Sequence, residues 1–498
     1  MFENISTIRE LLWITSEHYG EKTAFSYLKD GKTRAVSYAD FARQVNAAAK
    51  SLIHRGIANR TISIVSENSY DAMMWAYAVP LSGNVLVLLD NLTTIQDKAY
   101  LVAHSDTSCL IYSAANQPFR DYLAQNNQHV TSAICIETDT DDCIHTESNA
   151  SLPDMDGREM SYIFYSSGTT SKPKGIMQSQ INLLRSALYF SYSLIVENTV
   201  YLMLPLSHIF PFVNVVLASL YSGVNVFISA GLRHVLMEMR EAKPHCIYAV
   251  PAVLSFFDKT INAAAQDIMK KNDSMDHLSA RKMAAGELFG GNLSIIPTGG
   301  APINVDVAKR MQELGILVIN GYGLTETCGS ITANPNNANR LGSVGRVNTN
   351  AEAKVIEGEL ALKSPYLFMG YYKDPEGTRQ VFEGEWFLSG DLGYIEDDYV
   401  YITGRKKNVI VLPNGKNISP EEIEEEMLAI EEIKEVVICE QNGKLTAKVY
   451  TEHDEETVRK KIYEINKRLS SYKQIEHVVF YAEEFPKTSS KKIKRGEI

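Results

Sequence analysis

Between Tyr165 and Gly175 the chain reads Tyr165-Ser-Ser-Gly-Thr-Thr-Ser-Lys-Pro-Lys-Gly175, immediately after an apolar, strand-like run. Glycine lets backbone N–H groups come close to a ligand. The hydroxyls of Ser166, Ser167, Thr169 and Thr170 can donate to phosphate oxygens, and Lys174 supplies a neutralising charge. Together with Gly168, this is chemistry for gripping a polyphosphate. The same composition also describes an ordinary polar turn, so the segment alone does not decide. It is not a Walker-type loop, because G-x-x-x-x-G-K-[ST] fails after Gly168, where Pro173 and Lys174 precede Gly175.

Four further segments supply the deciding clue: Gly321-Tyr-Gly-Leu-Thr-Glu-Thr327, Ser389-Gly-Asp391, Gly404-Arg-Lys-Lys-Asn-Val-Ile410 and Pro486-Lys-Thr-Ser-Ser-Lys-Lys-Ile-Lys-Arg495. In composition and order, these and the loop resemble the motifs of the adenylate-forming superfamily: acyl-CoA and aryl-CoA ligases, luciferases and the adenylation domains of peptide synthetases. Matches spread over most of the chain are more specific than any one of them.

The resemblance implies an enzyme that uses ATP and Mg²⁺ to activate a carboxylic acid as acyl-AMP, releasing pyrophosphate, and then passes the acyl group to the thiol of CoA. Carboxylate and α-phosphate are both anions, so positive charge has to bridge them in the in-line transition state. Lys492 matches the family's lysine for that task, and Thr170 and Glu326 complete the implied catalytic set. Taken alone, the lysines around Lys492 would read as a solvated basic tail. The phosphate loop (Ser166, Ser167, Gly168, Thr169, Thr170, Lys174), Gly300, Ala301, Gly321, Tyr322, Gly323, Thr325, Asp391 and Arg405 would bind nucleotide. Tyr322 would stack on adenine, held between Gly321 and Gly323 where the backbone must turn tightly. Asp391 would accept the ribose hydroxyls, with Arg405 beside it, and Glu326 would be the metal ligand. Lys407 occupies the family's hinge, about which the C-terminal domain turns to withdraw Lys492 and bring Asn414-Gly-Lys416 to the thiol channel.

His208, Val250, Gly299 and Gly323 fall at acid-binding positions. Amino-acid-activating members carry an aspartate near Leu206 to Phe212. None stands here, and a buried ammonium without a partner is expensive, so an amino acid is disfavoured. The resemblance implies that Tyr248 to Leu254 and Gly299 to Ala301 line the acid pocket, and both segments are mostly apolar, so a fatty or aromatic acid is expected. Three departures from the family pattern stand out: Ser171 and Lys491 replace glycines, and Gln180 replaces a histidine. The same chemistry with the phosphopantetheine arm of a carrier protein as acceptor stays open. So does a non-catalytic binder of nucleotides or acyl-adenylates, which Ser171 and Lys491 raise.

These residues need a scaffold. From Arg34 to about Gly290, strand-like runs such as Thr61-Ile-Ser-Ile-Val alternate with helical patterns, which predicts an α/β architecture with largely parallel sheets. After Glu352 short antiparallel strands predict a small β subdomain, one pair joined at Asp397-Asp398. Ser419-Pro-Glu-Glu-Ile predicts a helix start capped by Ser419, with Pro420 first and Glu422 closing a capping box. We expect an N-terminal domain over 1–403, binding AMP and the acid, and a small mobile α+β domain over 404–498.

A chain of 498 residues, 45% hydrophobic with net charge −11, fits a large folded core and argues against a nucleic-acid binder. The longest apolar region, Tyr201 to Ile228, is interrupted by Pro205, His208, Pro211, Asn214 and Asn225, so no integral membrane segment is expected. The N-terminus lacks a basic-then-apolar leader, and six scattered cysteines match neither a disulfide framework nor a zinc site. The expected setting is the cytoplasm.

Overall fold

A computed structural model describes residues 4–127, 129–145, 148–166, 173–193, 198–231, 233–411, 416–441, 444–487 and 493–498. Ser167, Gly168, Thr169, Thr170, Ser171, Asn414, Gly415, Lys491 and Lys492 lie outside them. A seven-stranded sheet is parallel through Met160–Ser166, Val85–Leu89, Thr61–Val65, Thr107–Tyr112 and Ser132–Cys135. Its other edge turns antiparallel at Lys174–Ser179 and Gly370–Tyr371. Continuous runs such as Val85-Leu-Val-Leu-Leu suit strands covered on both faces. Leu101, Phe119 and Leu123 pack on one side, and the helix Tyr70–Leu81 on the other.

That helix explains how two sheets share a core. All its residues except Asp71 are buried, so it has no solvent face, as expected of a helix clamped between layers. Trp75 at its centre is 0% exposed and donates through Nε1 to Thr140 Oγ1 at 3.0 Å. Its far neighbours belong to a 14-stranded sheet, parallel from Thr23–Lys29 through Asn225–Ile228, Thr199–Leu202, Cys246–Ile247 and Ile295–Thr298 to Leu317–Leu324. Alternation sorts the faces: Val200 and Leu202 point to the shared core, while Tyr201 and Met203 face the helices Pro251–Lys271, His277–Phe289 and Val305–Glu313.

The expected antiparallel strands are continuous with this sheet, because Leu317–Leu324 pairs parallel with Ile295–Thr298 and antiparallel with Gly329–Ala333. Trp386–Glu396 and Tyr399–Arg405 form the predicted hairpin, with Asp397 and Asp398 at φ 49° and 67°, both left-handed as a two-residue type I′ turn requires. In the C-terminal part, Glu435–Gln441, Lys444–Tyr450 and His477–Tyr481 form a sheet of their own. Ile423, Met427, Ile438, Val458 and Ile462 give it a separate core.

One local expectation fails. Ser419 sits at the N-cap of Pro420–Leu428, but its hydroxyl makes no capping bond and donates instead to Thr403 O at 2.6 Å. Glu422 does not reach back either, since Lys473 holds its carboxylate at 2.6 and 2.7 Å. Tertiary partners outcompete the local capping box.

Candidate active site

The strand Leu317–Leu324 carries Tyr322 past the ends of the parallel strands, where open α/β sheets collect ligands. Gly321 and Gly323 lie in this strand, not in the expected tight turn. What they provide is thinness: a Cβ on Gly323 would stand 1.7 Å from Gly329 O, and one on Gly321 2.9 Å from Thr332 O. The Tyr322 hydroxyl donates to Asp391 Oδ2 at 2.7 Å, and Arg405 Nε donates to Asp391 Oδ1 at 2.8 Å. Asp391 and Arg405 face each other across the hairpin, which is why they meet. Burial drives the Tyr322 phenol well above its usual range, and the Asp391 charge adds to this, so the phenol stays a donor. Asp391 is 2% exposed.

Ser166 and Lys174 are directly paired across antiparallel strands, fixing where the phosphate loop leaves and re-enters the sheet. Lys174 Nζ lies 4.2 Å from the Tyr371 ring centroid and 3.6 Å from Asp374. Tyr371 in turn donates to Glu326 Oε1 at 2.9 Å. Burial raises the Glu326 carboxyl, opposed by that bond and by the charges of Arg405 and Lys174. Thr325 is tied down through its carbonyl, which accepts from Gln178 Nε2 at 2.8 Å. Among the described residues no three metal-ligating side chains converge. A lone half-buried carboxylate with one oxygen engaged fits Mg²⁺, which takes one or two carboxylates and completes its shell from phosphates and water. A cavity of about 310 Å³ opens here, lined by Lys174, Tyr371, Asp374, Tyr100, His104 and Lys373 among others.

Of the residues expected to bind the acid, His208 has its Nε2 3.7 Å from Asp90 Oδ2. Val250 is the N-cap residue of Pro251–Lys271. Gly299 must be glycine because a Cβ there would lie 2.9 Å from Gly321 O, and Gly300, at φ +81°, turns the chain outward with Ala301 exposed. Phe210 meets Tyr248 edge-on at 5.8 Å, and Phe190 lies 6.2 Å from the same ring. Gln180 is buried away from this chemistry: its Oε1 accepts from Ile8 N at 2.7 Å and its Nε2 donates to Ser161 Oγ at 3.3 Å, so it anchors the N-terminal helix Ile8–Tyr19.

The AMP-binding enzyme family model matches residues 12–372. The chain belongs to that family. The long-chain-fatty-acid–CoA ligase FadD15 of Mycobacterium bovis is 26% identical over 83% of this chain and 76% of its own length. The 2-succinylbenzoate–CoA ligase of Listeria innocua is 26% identical over 95% of this chain and 97% of its own. Among solved structures, the o-succinylbenzoate CoA synthetase of Bacillus subtilis, in complex with the acyl-adenylate intermediate OSB-AMP, has a TM-score of 0.81 at 21% identity. It covers 98% of this chain and 97% of that one, a likeness of fold.

In this AMP-binding chain the 3₁₀ turn Lys406–Asn408 carries Lys407, and its neighbours are tied to opposite sides. Lys406 Nζ pairs with Glu359 at 2.7 Å, while Asn408 Nδ2 donates to Glu421 Oε1 at 2.6 Å. Burial lowers the Lys407 ammonium, and nearby Arg405 lowers it further. Lys492 itself is outside the described residues, but Lys487 and Ile493 on either side of it form an antiparallel bridge. Lys487 pairs with Glu435 and Glu484, Lys494 with Glu497, and Arg495 with Glu421 and Glu424. Lys487 and Arg495 are therefore docked by ion pairs to distant residues, unlike a solvated basic tail, whereas the Lys494 pair is local. Motif reading missed Tyr371, Asp374, Gln178 and Asp90. Gly370-Tyr-Tyr-Lys-Asp374 was the visible signal for two of them, but its pairing with Lys174–Ser179 across nearly 200 residues leaves no periodicity to read.

Proposed function

We propose that the chain is an AMP-forming acid–CoA ligase acting on a fatty or aromatic carboxylic acid. The observation that carries this reading is the Tyr322–Asp391–Arg405 cluster: three separate motifs meet in one polar cradle suited to a nucleoside. In the first half-reaction a carboxylate oxygen attacks the α-phosphorus, the bond to the β-phosphate bridging oxygen breaks, and pyrophosphate leaves. Asp391 and Arg405 orient the ribose, Tyr322 packs on the base, and Ser166 and Lys174 frame the phosphate loop. Glu326 would hold Mg²⁺, whose charge stabilises the phosphates when bound. Lys492 bridges the two anions from the C-terminal domain, and His208, Val250 and Gly299 line the acid side. In the second half-reaction the CoA thiol, losing its proton, attacks the acyl carbon and AMP departs.

Both relatives named above are CoA ligases, one acting on long-chain fatty acids and one on 2-succinylbenzoate, which supports CoA as acceptor and leaves acid size open between those classes. Six free cysteines suit a reducing compartment, and among the described residues no helix is long and apolar enough to cross a membrane. AMP release measured over a panel of fatty, aromatic and amino acids, with CoA, with a loaded carrier protein and with neither, tests the proposal. Acid-dependent AMP formation that requires CoA is expected. Absence of pyrophosphate exchange with every acid would remove it, and turnover only with carrier protein would replace the acceptor.

A further inference from the structure

Two loops of the seven-stranded sheet grip the segment that delivers His208. Thr61–Val65 and Val85–Leu89 are adjacent and parallel, with Val65 paired to Leu89, so the residues just beyond them emerge side by side. Asn68, from the first loop, donates to Leu204 O at 2.8 Å and accepts from Leu206 N at 3.1 Å, stapling the chain just ahead of His208. Asp90, from the second, uses Oδ1 to accept from Leu92 N at 2.9 Å, which closes its own turn. An asparagine would close that turn equally well. The other oxygen, Oδ2, is the informative one. It is buried, makes no hydrogen bond among the described residues, and stands 3.7 Å from His208 Nε2, with the two side chains 12% and 31% exposed.

From this juxtaposition we infer that Asp90 is a positioning residue for acid activation: its carboxylate orients the His208 ring toward the carboxylate substrate. The inference rests on the proposed acid-side role of His208. One competing duty for Asp90 is visible. Lys98, buried on the neighbouring helix Ile95–His104, donates to Asn91 O and Asn116 Oδ1 at 3.3 Å and feels the charges of Asp90 and Glu67. If Asp90 served only Lys98, its loss would loosen the fold without favouring one substrate over another.

Acid-dependent pyrophosphate exchange, with acid and ATP varied separately, distinguishes these cases when combined with melting temperatures. Asp90→Asn keeps the turn and removes the charge. It is expected to raise KM for the acid about tenfold, the scale of one lost charged contact, with KM for ATP and the melting temperature unchanged. His208→Asn is expected to raise KM for the acid similarly, and the double variant to be no worse than His208→Asn alone, because the two act as one unit. If Asp90→Asn leaves KM for the acid unchanged while His208→Asn raises it, the positioning role is overturned and the acid-side place of His208 stands. Multiplicative losses in the double variant, or equal rises in both KM values with a lower melting temperature, also overturn it. If His208→Asn leaves KM for the acid unaltered, the inference and the reading beneath it fall together.

Discussion

Asp391 is the residue on which three separate motifs converge, and its contacts with Tyr322 and Arg405 differ in kind. Arg405 brings charge, whereas Tyr322 brings a neutral hydrogen bond that Tyr322→Phe would remove while leaving the ring to pack. Losing a bond to a buried carboxylate costs about 1–2 kcal/mol, so KM for ATP should rise about tenfold with KM for the acid unchanged, as measured by pyrophosphate exchange. The cysteines give a separate test of the fold. Burial pushes the Cys109 thiol up to about 12, and only the thiolate is nucleophilic, so at pH 8 it is protonated as well as shielded. Iodoacetamide at pH 8 should modify the half-buried Cys135 and Cys439 and spare Cys109, which mass spectrometry of peptides would show; reactivity at Cys109 should grow only as pH rises toward that value. Asp391 and Arg405 could be singled out only from where their short motifs fall in the order along the chain. Tyr371 and Asp90 were not, because what makes them interesting is a neighbour far away in sequence: Tyr371 meets Glu326 and Asp90 meets His208.

Strands and helices decide how tolerant the site is. Gly323→Ala places a methyl group where the Gly329 carbonyl stands, at 1.7 Å. Backbone must shift to admit it, and the strand that presents Tyr322 shifts with it. We expect loss of nucleotide binding by calorimetry with the far-ultraviolet circular dichroism spectrum retained. Trp75→Ala acts at a different site: it opens a cavity in the helix between the sheets and strands the Thr140 hydroxyl, destabilising the chain by about 3–5 kcal/mol in denaturant unfolding. Element type was readable here, since Val85-Leu-Val-Leu-Leu has strand composition and Tyr70 to Ala78 reads as helix. Element role was less so. Glycines at 321 and 323 signal a backbone that no side chain can enter, but a tight turn and a close strand pairing leave the same mark. The Ser419 cap failed for a related reason: Thr403 and Lys473, remote partners, took the groups that a local rule reserved for the helix end.

At the scale of the molecule, the C-terminal part has its own core around Ile423 and Ile438 and is joined through a turn whose two anchors, Glu359 and Glu421, lie on opposite sides of Lys407. We propose that this part rotates as a unit, since its core is separate from the others. If it delivers Lys492 for the first half-reaction and withdraws it for the second, Lys492→Ala should abolish pyrophosphate exchange yet still convert a supplied acyl-adenylate and CoA to thioester, followed by chromatography. Equal loss of both half-reactions would sink the rotation. By itself the sequence determined the family and the α/β class, because those follow from local composition and from the order of motifs along the chain. Only the tertiary structure decided that Tyr322, Asp391 and Arg405 share one carboxylate, that Gln180 anchors a helix, and that Asp90 faces His208. Each of those depends on strand pairing or packing between residues far apart in the chain, where no periodicity carries a signal.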